Sequence, residues 1–144
     1  MTQDQDFDLR NFLPYLLNQA ADVTSREFEA FYKTKYGMLR TEWRVLFHLG
    51  RYGDMTAKDI CDRARIHKTK VSRAVQALED KRYLSRQERA DDRRHENLSL
   101  TASGAQVFTT LLEQAKQYDS ALWSEFSAAE ARQIRSFLVR LAKL

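Results

Sequence analysis

The chain has 144 residues, 43% hydrophobic and 31% charged, with a net charge of +4, the size and balance of a globular protein with a real core. No apolar run approaches the roughly eighteen residues needed to span a bilayer. The polar, acidic stretch Met1 to Asp8 is unlike a signal peptide, and the lone Cys61 excludes an internal disulfide framework. The cytoplasm is therefore the expected location, and no membrane is an expected partner.

One proline, Pro14, and four glycines predict long helices joined by short links. The first helix is expected over Phe12 to Tyr36, with Asn11 as N-cap and Pro14 in the first turn. Leu16, Ala20, Val23 and Glu27 mark one of its faces, and Phe28, Phe31 and Tyr32 another. Gly37 is placed to end it. Thr41 is expected to cap a second helix with Val45, Leu46 and Leu49 inward, closed by Gly50 and Gly53. Thr56 caps a short third helix whose apolar positions, Ala57, Ile60, Cys61 and Ala64, follow helical spacing. A fourth helix starts near His67 or Lys68 and repeats that spacing with Val71, Ala74, Val75 and Leu78.

The period then changes. Tyr83 to Glu88 and Glu96 to Leu100 are short runs of alternating character around a polar stretch, Arg89 to His95, which predicts a β-hairpin with a charged tip. Thr101 caps a fifth helix with Phe108, Leu111, Leu112, Ala115, Tyr118 and Leu122 inward. Ser127-Ala-Ala-Glu130 is a capping box opening a sixth helix with Ile134, Phe137, Leu138 and Leu141 on one face.

The charge is unevenly placed. Between Arg63 and Arg94 eleven Lys and Arg face five acids, so this segment is more basic than the whole chain. A basic block in a near-neutral chain is the footprint of a phosphate-binding surface, although a solvated basic face has the same composition. A short helix, a tight Arg65-Ile66 link and a longer helix have the outline of a helix-turn-helix. Opposite the apolar stripe of the longer helix stand Lys68, Thr69, Ser72, Arg73 and Gln76, with Lys70 on the flank. These side chains donate to phosphates and base edges, and Arg and Lys pair with guanine O6 and N7. The hairpin tip adds Arg89, Arg93 and Arg94, suited to the negative potential of a narrow minor groove. Asp91 and Asp92 would repel phosphates, and a role in orienting an arginine suits them better.

Three stretches now stand together: Thr41-Glu-Trp-Arg-Val-Leu46, His67-Lys-Thr-Lys-Val-Ser-Arg-Ala-Val-Gln-Ala-Leu78, and Asp91-Asp-Arg-Arg94 followed by Leu98-Ser-Leu-Thr101 and Gly104. In this order they resemble the multiple-antibiotic-resistance regulator (MarR) family of winged-helix repressors, from about Phe12 to the C-terminus. The Asp-Arg-Arg tip with its Leu-x-Leu-Thr exit is the most specific part.

The resemblance implies a mainly α fold of six helices with a small β-hairpin wing, as one domain over 1–144. It implies a winged helix-turn-helix lobe over about 41–101 and dimerisation helices over about 12–36 and 102–144. It places the recognition helix at 67–81 and the wing at 85–100. Major-groove contacts carry over to Lys68, Thr69, Lys70, Ser72 and Arg73, and the minor-groove arginine to Arg94, beside Arg93, with Asp92 steadying it. His67 departs from the pattern, since the family usually has a capping residue such as Asp or Ser there.

The partners so implied are double-stranded DNA and a second copy of the chain. The terminal apolar stripes and Phe28/Phe31 exceed what a chain of this length readily covers, which also favours a homodimer. Packing of those stripes on each other within one chain is the alternative. A two-fold dimer sets its recognition helices about 34 Å apart and predicts a near-palindromic operator. Some family members bind small aromatic carboxylates or phenols. Here Phe12, Tyr15, Trp43, Phe47 and His48 are the candidate lining, with Arg44 as carboxylate partner, and core packing is the plainer role for each.

No cofactor or metal is expected, since His48, His67 and His95 are dispersed and Cys61 belongs to a buried stripe. No nucleophile–base grouping, glycine-rich phosphate loop or apolar carboxylate pair suggests an enzyme. The competing class is a winged-helix protein-interaction module without DNA binding, which would be expected to lack these donors.

Overall fold

Local capping decides where each helix begins. The computed structural model describes residues 7–91 and 95–144. A single 3₁₀ turn, Leu9–Asn11, comes first because the Asp8 carboxylate accepts the Arg10 N–H at 2.9 Å. That turn takes up Asn11, so the expected Asn11 cap does not form. Phe12 holds the N-cap position of α1 (Leu13–Tyr36) without a side-chain bond. Pro14 lies in the first turn as expected, where its missing N–H costs nothing. Gly37 ends α1 at φ 63°, its N–H directed to the carbonyls of Tyr32 and Lys33.

Helix α2 (Arg40–Tyr52) starts one residue before the expected Thr41 cap. Leu39 is its N-cap, and the Glu42 carboxylate reaches back to accept the Leu39 N–H. Gly50 lies inside α2 and does not close it. The Phe108 ring occupies the space that a Cβ at Gly50 would fill, and Gly53 alone terminates the helix.

The two-residue strand β1 (Met55–Thr56) leads into α3 (Ala57–Ala64). The Thr56 hydroxyl accepts the Asp59 N–H while the Asp59 carboxylate accepts the Thr56 N–H, each at 3.1 Å. Helix α4 (Lys68–Asp80) follows a three-residue link, Arg65 to His67, in which Arg65 adopts a left-handed φ of 54°. Strands β2 (Leu84–Glu88) and β3 (Glu96–Leu100) pair in register, Leu84 opposite Leu100 and Glu88 opposite Glu96. β1 joins the other edge of β3, Met55 opposite Leu98, so the antiparallel sheet runs β1-β3-β2. This third strand was not expected, because two residues carry no readable alternation.

Thr101 caps α5 (Ala102–Trp123) as expected, its hydroxyl accepting the Gly104 N–H and donating to the Arg82 carbonyl. The core joins Val45 and Leu46 of α2, Ile60 of α3, Val71 and Leu78 of α4, Leu84 and Leu98 of the sheet, and Leu111 of α5, all essentially without solvent contact. α2 packs across α4, and α3 packs on both. Val107, absent from the expected inward set of α5, is buried too.

The chain divides after Leu111 into two compact units. The second holds the rest of α5 and α6 (Ala128–Ala142). The expected capping box opens α6, Ser127 Oγ accepting the Glu130 N–H and the Glu130 carboxylate accepting the Ser127 N–H. Phe137, Leu138 and Leu141 of α6 are exposed, as are Phe12, Leu13 and Leu16 of the first unit.

Candidate nucleic-acid interface

The buried face of α4 fixes what its other face presents. Val71, Ala74, Val75 and Leu78 lie in the core, so helical spacing turns Lys68, Thr69, Lys70, Ser72 and Arg73 to solvent, and all five are exposed. They occupy the first two turns, the part of a recognition helix that contacts base edges. His67, the one position that departs from the family pattern, is the N-cap. Its Nδ1 accepts the Thr69 N–H at 3.2 Å, so the imidazole supplies the capping acceptor that Asp or Ser would supply elsewhere.

Helices α3 and α4 enclose an open groove of about 750 Å³ lined by Ala57, Lys58, Cys61, Lys68, Ser72 and Arg73 among others. Cys61 was expected inside the core. Of the α3 stripe only Ile60 and Ala64 are buried, and Cys61 is partly exposed along this groove. At the head of α3 the carboxyl of Asp59 is held below its ordinary range, chiefly by its bonds to the Thr56 backbone and hydroxyl.

The wing stands beside α4. Its ladder continues past β2, with the Arg89 N–H donating to the His95 carbonyl. The Arg89 guanidinium meets both Asp91 oxygens, Nε to Oδ1 and Nη2 to Oδ2, each at 3.2 Å. Asp91 thus orients an arginine at the tip. Asp92, Arg93 and Arg94, the other expected wing residues, lie outside the described residues.

The base of the wing holds a contact that periodicity could not reveal. Arg86 of β2 donates through Nε to Glu79 of α4 at 2.9 Å and through Nη2 to Gln76 at 3.2 Å, with Glu96 of β3 3.6 Å from Nη1. Gln76 in turn donates to Asp80. Its amide is therefore engaged at both ends, unlike the donors nearer the start of α4.

The expected ligand-lining residues fall into two groups. Trp43, Arg44, Phe47 and His48 are consecutive turns of α2. Trp43 stacks on the buried Tyr32 with rings 12° from parallel and centroids 5.9 Å apart. It also touches Phe28 and Phe47, and Phe47 meets Phe108, forming a continuous aromatic row. Arg44 donates through Nη2 to the Ala64 carbonyl at 2.8 Å. This ties α2 to the end of α3, and burial lowers the pKa of its guanidinium. His48 Nδ1 lies 2.6 Å from the Arg44 carbonyl. Phe12 packs edge-on against Phe7 at the start of α1 and is 41% exposed, and Tyr15 is partly buried one turn on.

A short helix, a tight turn, a donor-bearing helix and an adjacent arginine-containing hairpin define a winged helix-turn-helix protein. The profile described as MarR family matches residues 36–95. An uncharacterised HTH-type transcriptional regulator of Bacillus subtilis (strain 168), YwoH, is 22% identical over 79% of this chain and 82% of its own. The crystal structure of a MarR/EmrR family transcriptional regulator from Acinetobacter sp. ADP1 superposes with a TM-score of 0.85 at 26% identity, covering 95% of this chain and 96% of that one. BpsR of Bordetella bronchiseptica, whose DNA binding is regulated by 6-hydroxynicotinic acid, has the same fold, with a TM-score of 0.85 at 18% identity over 96% and 98% of the two chains. Over residues 36–95 the chain is similar to the MarR family, and its fold is that of solved MarR-family regulators. Among the described residues no helix is long and apolar enough to cross a membrane.

Proposed function

We propose that this chain acts as a homodimeric repressor that binds a near-palindromic site in double-stranded DNA and releases it on binding a small aromatic carboxylate or phenol. One observation carries the reading: five donors, Lys68, Thr69, Lys70, Ser72 and Arg73, are exposed on the first two turns of α4, and no acid lies among them. In this reading they contact the major groove, and the wing, with Arg93, Arg94 and Asp92, enters the adjacent minor groove.

Dimerisation is supported by the apolar surface left open on the single chain. Phe12, Leu13 and Leu16 at one end of the sequence and Phe137, Leu138 and Leu141 at the other are between 41% and 56% exposed, more large apolar side chain than a soluble monomer readily tolerates. The effector reading rests on the aromatic row of α2 and on the analogy with BpsR, whose effector is an aromatic acid. Phe12, Tyr15, Trp43, Phe47 and His48 would line its site and Arg44 would meet its carboxylate. Such a ligand acts by favouring one spacing of the two DNA-binding lobes over the other.

Selection of bound duplexes from a random pool tests this directly. The proposal expects a near-palindrome, strong salt dependence and at least about fivefold weaker binding by Arg94→Ala, the low end of the loss of one base or groove contact. Normal binding by that variant would remove the wing from the interface. Enrichment of no sequence at all would favour a protein-interaction module. Small aromatic acids and phenols are then screened for release of the selected duplex.

A further inference from the structure

We infer that Arg86 is a positioning residue for DNA recognition, a strut that holds the wing at a fixed angle to the recognition helix. The inference rests on the DNA-binding reading above and goes beyond it, because Arg86 is assigned no contact with DNA. One guanidinium serves three partners on two elements. Nε and Nη2 donate to Glu79 and Gln76, one turn apart on α4, and Nη1 faces Glu96 on the neighbouring strand. Only a planar fork satisfies partners in these different directions at once, which a lysine ammonium on a single stem does not.

The location gives the strut its leverage. Arg86 sits in the middle of β2, opposite Leu98. Arg89 stands three residues further out, about 10 Å along the strand at the usual rise. A small tilt at the base of the wing is therefore magnified at its tip. The contacts also divide the exposed face of α4. In its second half Arg86 joins Gln76 and Glu79, and Gln76 also donates to Asp80, while the donors from Lys68 to Arg73 in its first half stay directed outward. Gln76, whose side chain is suited to adenine, is thereby withheld from base reading. The spacing between major-groove and minor-groove contacts becomes a property of the Arg86–Glu79 pair.

Two conservative variants of the full chain, Arg86→Lys and Glu79→Gln, separate a strut from a phosphate contact. Both are measured by titration against the selected duplex at several salt concentrations and by hydroxyl-radical footprinting, with thermal unfolding as the check on folding. A strut predicts that both variants weaken specific binding, by about tenfold, the effect of one lost charge-assisted contact. It predicts loss of protection in the outer minor grooves with the major-groove footprint retained, and a double variant no worse than either single one. Arg86→Lys keeps its charge and so keeps the salt slope. Glu79→Gln is the more demanding case, because loss of an acid near DNA strengthens binding on electrostatic grounds alone.

Tighter binding by Glu79→Gln, or a wild-type footprint for Arg86→Lys, overturns the strut. If the wild-type protein selects no DNA, the DNA-binding reading fails and the strut fails with it. Wild-type binding with both variants unaffected removes the strut alone.

Discussion

The imidazole of His67 accepts the Thr69 backbone N–H at Nδ1, 3.2 Å away, and so starts the helix that carries the outward-facing donors. An N-cap acceptor is typically worth about 1 kcal/mol. His67→Ala is expected to lower unfolding stability by about that amount in denaturant titrations, while His67→Asn and His67→Ser match or exceed the wild type. A stability of His67→Ala equal to that of the wild type would show that Nδ1 does not serve as the cap.

The capping box of α3 predicts a pH dependence. Folding lowers the Asp59 pKa through bonds to Thr56. Its contribution is therefore full at neutral pH and is lost as pH falls through the folded value, below the ordinary carboxylate range. Asp59→Asn keeps an acceptor without the charge. Chemical denaturation across pH is expected to find the wild type more stable than Asp59→Asn near neutrality, with the difference closing in acid. A difference that grows in acid would reverse the assignment.

Glu42 is buried, yet it serves two groups: one carboxylate oxygen caps Leu39 and the other meets Lys81 Nζ at 3.3 Å. Removing it leaves the Leu39 N–H and the Lys81 ammonium without this partner. Because Lys81 keeps some solvent contact, Glu42→Ala is expected to cost about 2 kcal/mol, below the range for a fully buried pair. Lys81→Met, which removes the cation but spares the cap, is expected to cost less. Thermal unfolding of the two variants measures the order.

Two glycines make close approaches of different kinds. A Cβ at Gly104 would strike the Tyr83 backbone carbonyl, and one at Gly50 would strike the Phe108 ring. A ring can shift, whereas a carbonyl in the turn before β2 cannot do so without moving the strand. Gly104→Ala is thus expected to destabilise more than Gly50→Ala, for which overpacking costs about 1–3 kcal/mol. Equal unfolding temperatures for the two variants would contradict this.

What could be foreseen from the chain follows the reach of each signal. The stripe Val71, Ala74, Val75 and Leu78 repeats at helical spacing, and it located α4 and therefore the outward donors. Thr56, Thr101 and Ser127 lie directly before helices and are read locally, as caps. Asn11 is an equally good capping residue, but Asp8 makes a turn that consumes it, and Gly50 resembles a helix stop because its packing partner is 58 residues away. β1 is too short to alternate. Cys61 fits the apolar spacing of α3 yet borders the groove, since Ile60 and Ala64 fill the core contact. The union of Arg86 with Glu79 and Gln76 depends on how the wing folds back on α4, which no local pattern encodes.

The most direct measurement is the affinity and base preference of wild type and Arg73→Ala on the selected duplex, with the oligomeric state recorded alongside. Loss of a base-reading arginine is expected to cost about 1–3 kcal/mol, roughly five- to 150-fold in Kd, and to relax preference at one symmetric pair of positions. The variant should remain a folded dimer. Unchanged affinity and unchanged base preference in Arg73→Ala would contradict the assignment of α4 as the recognition helix.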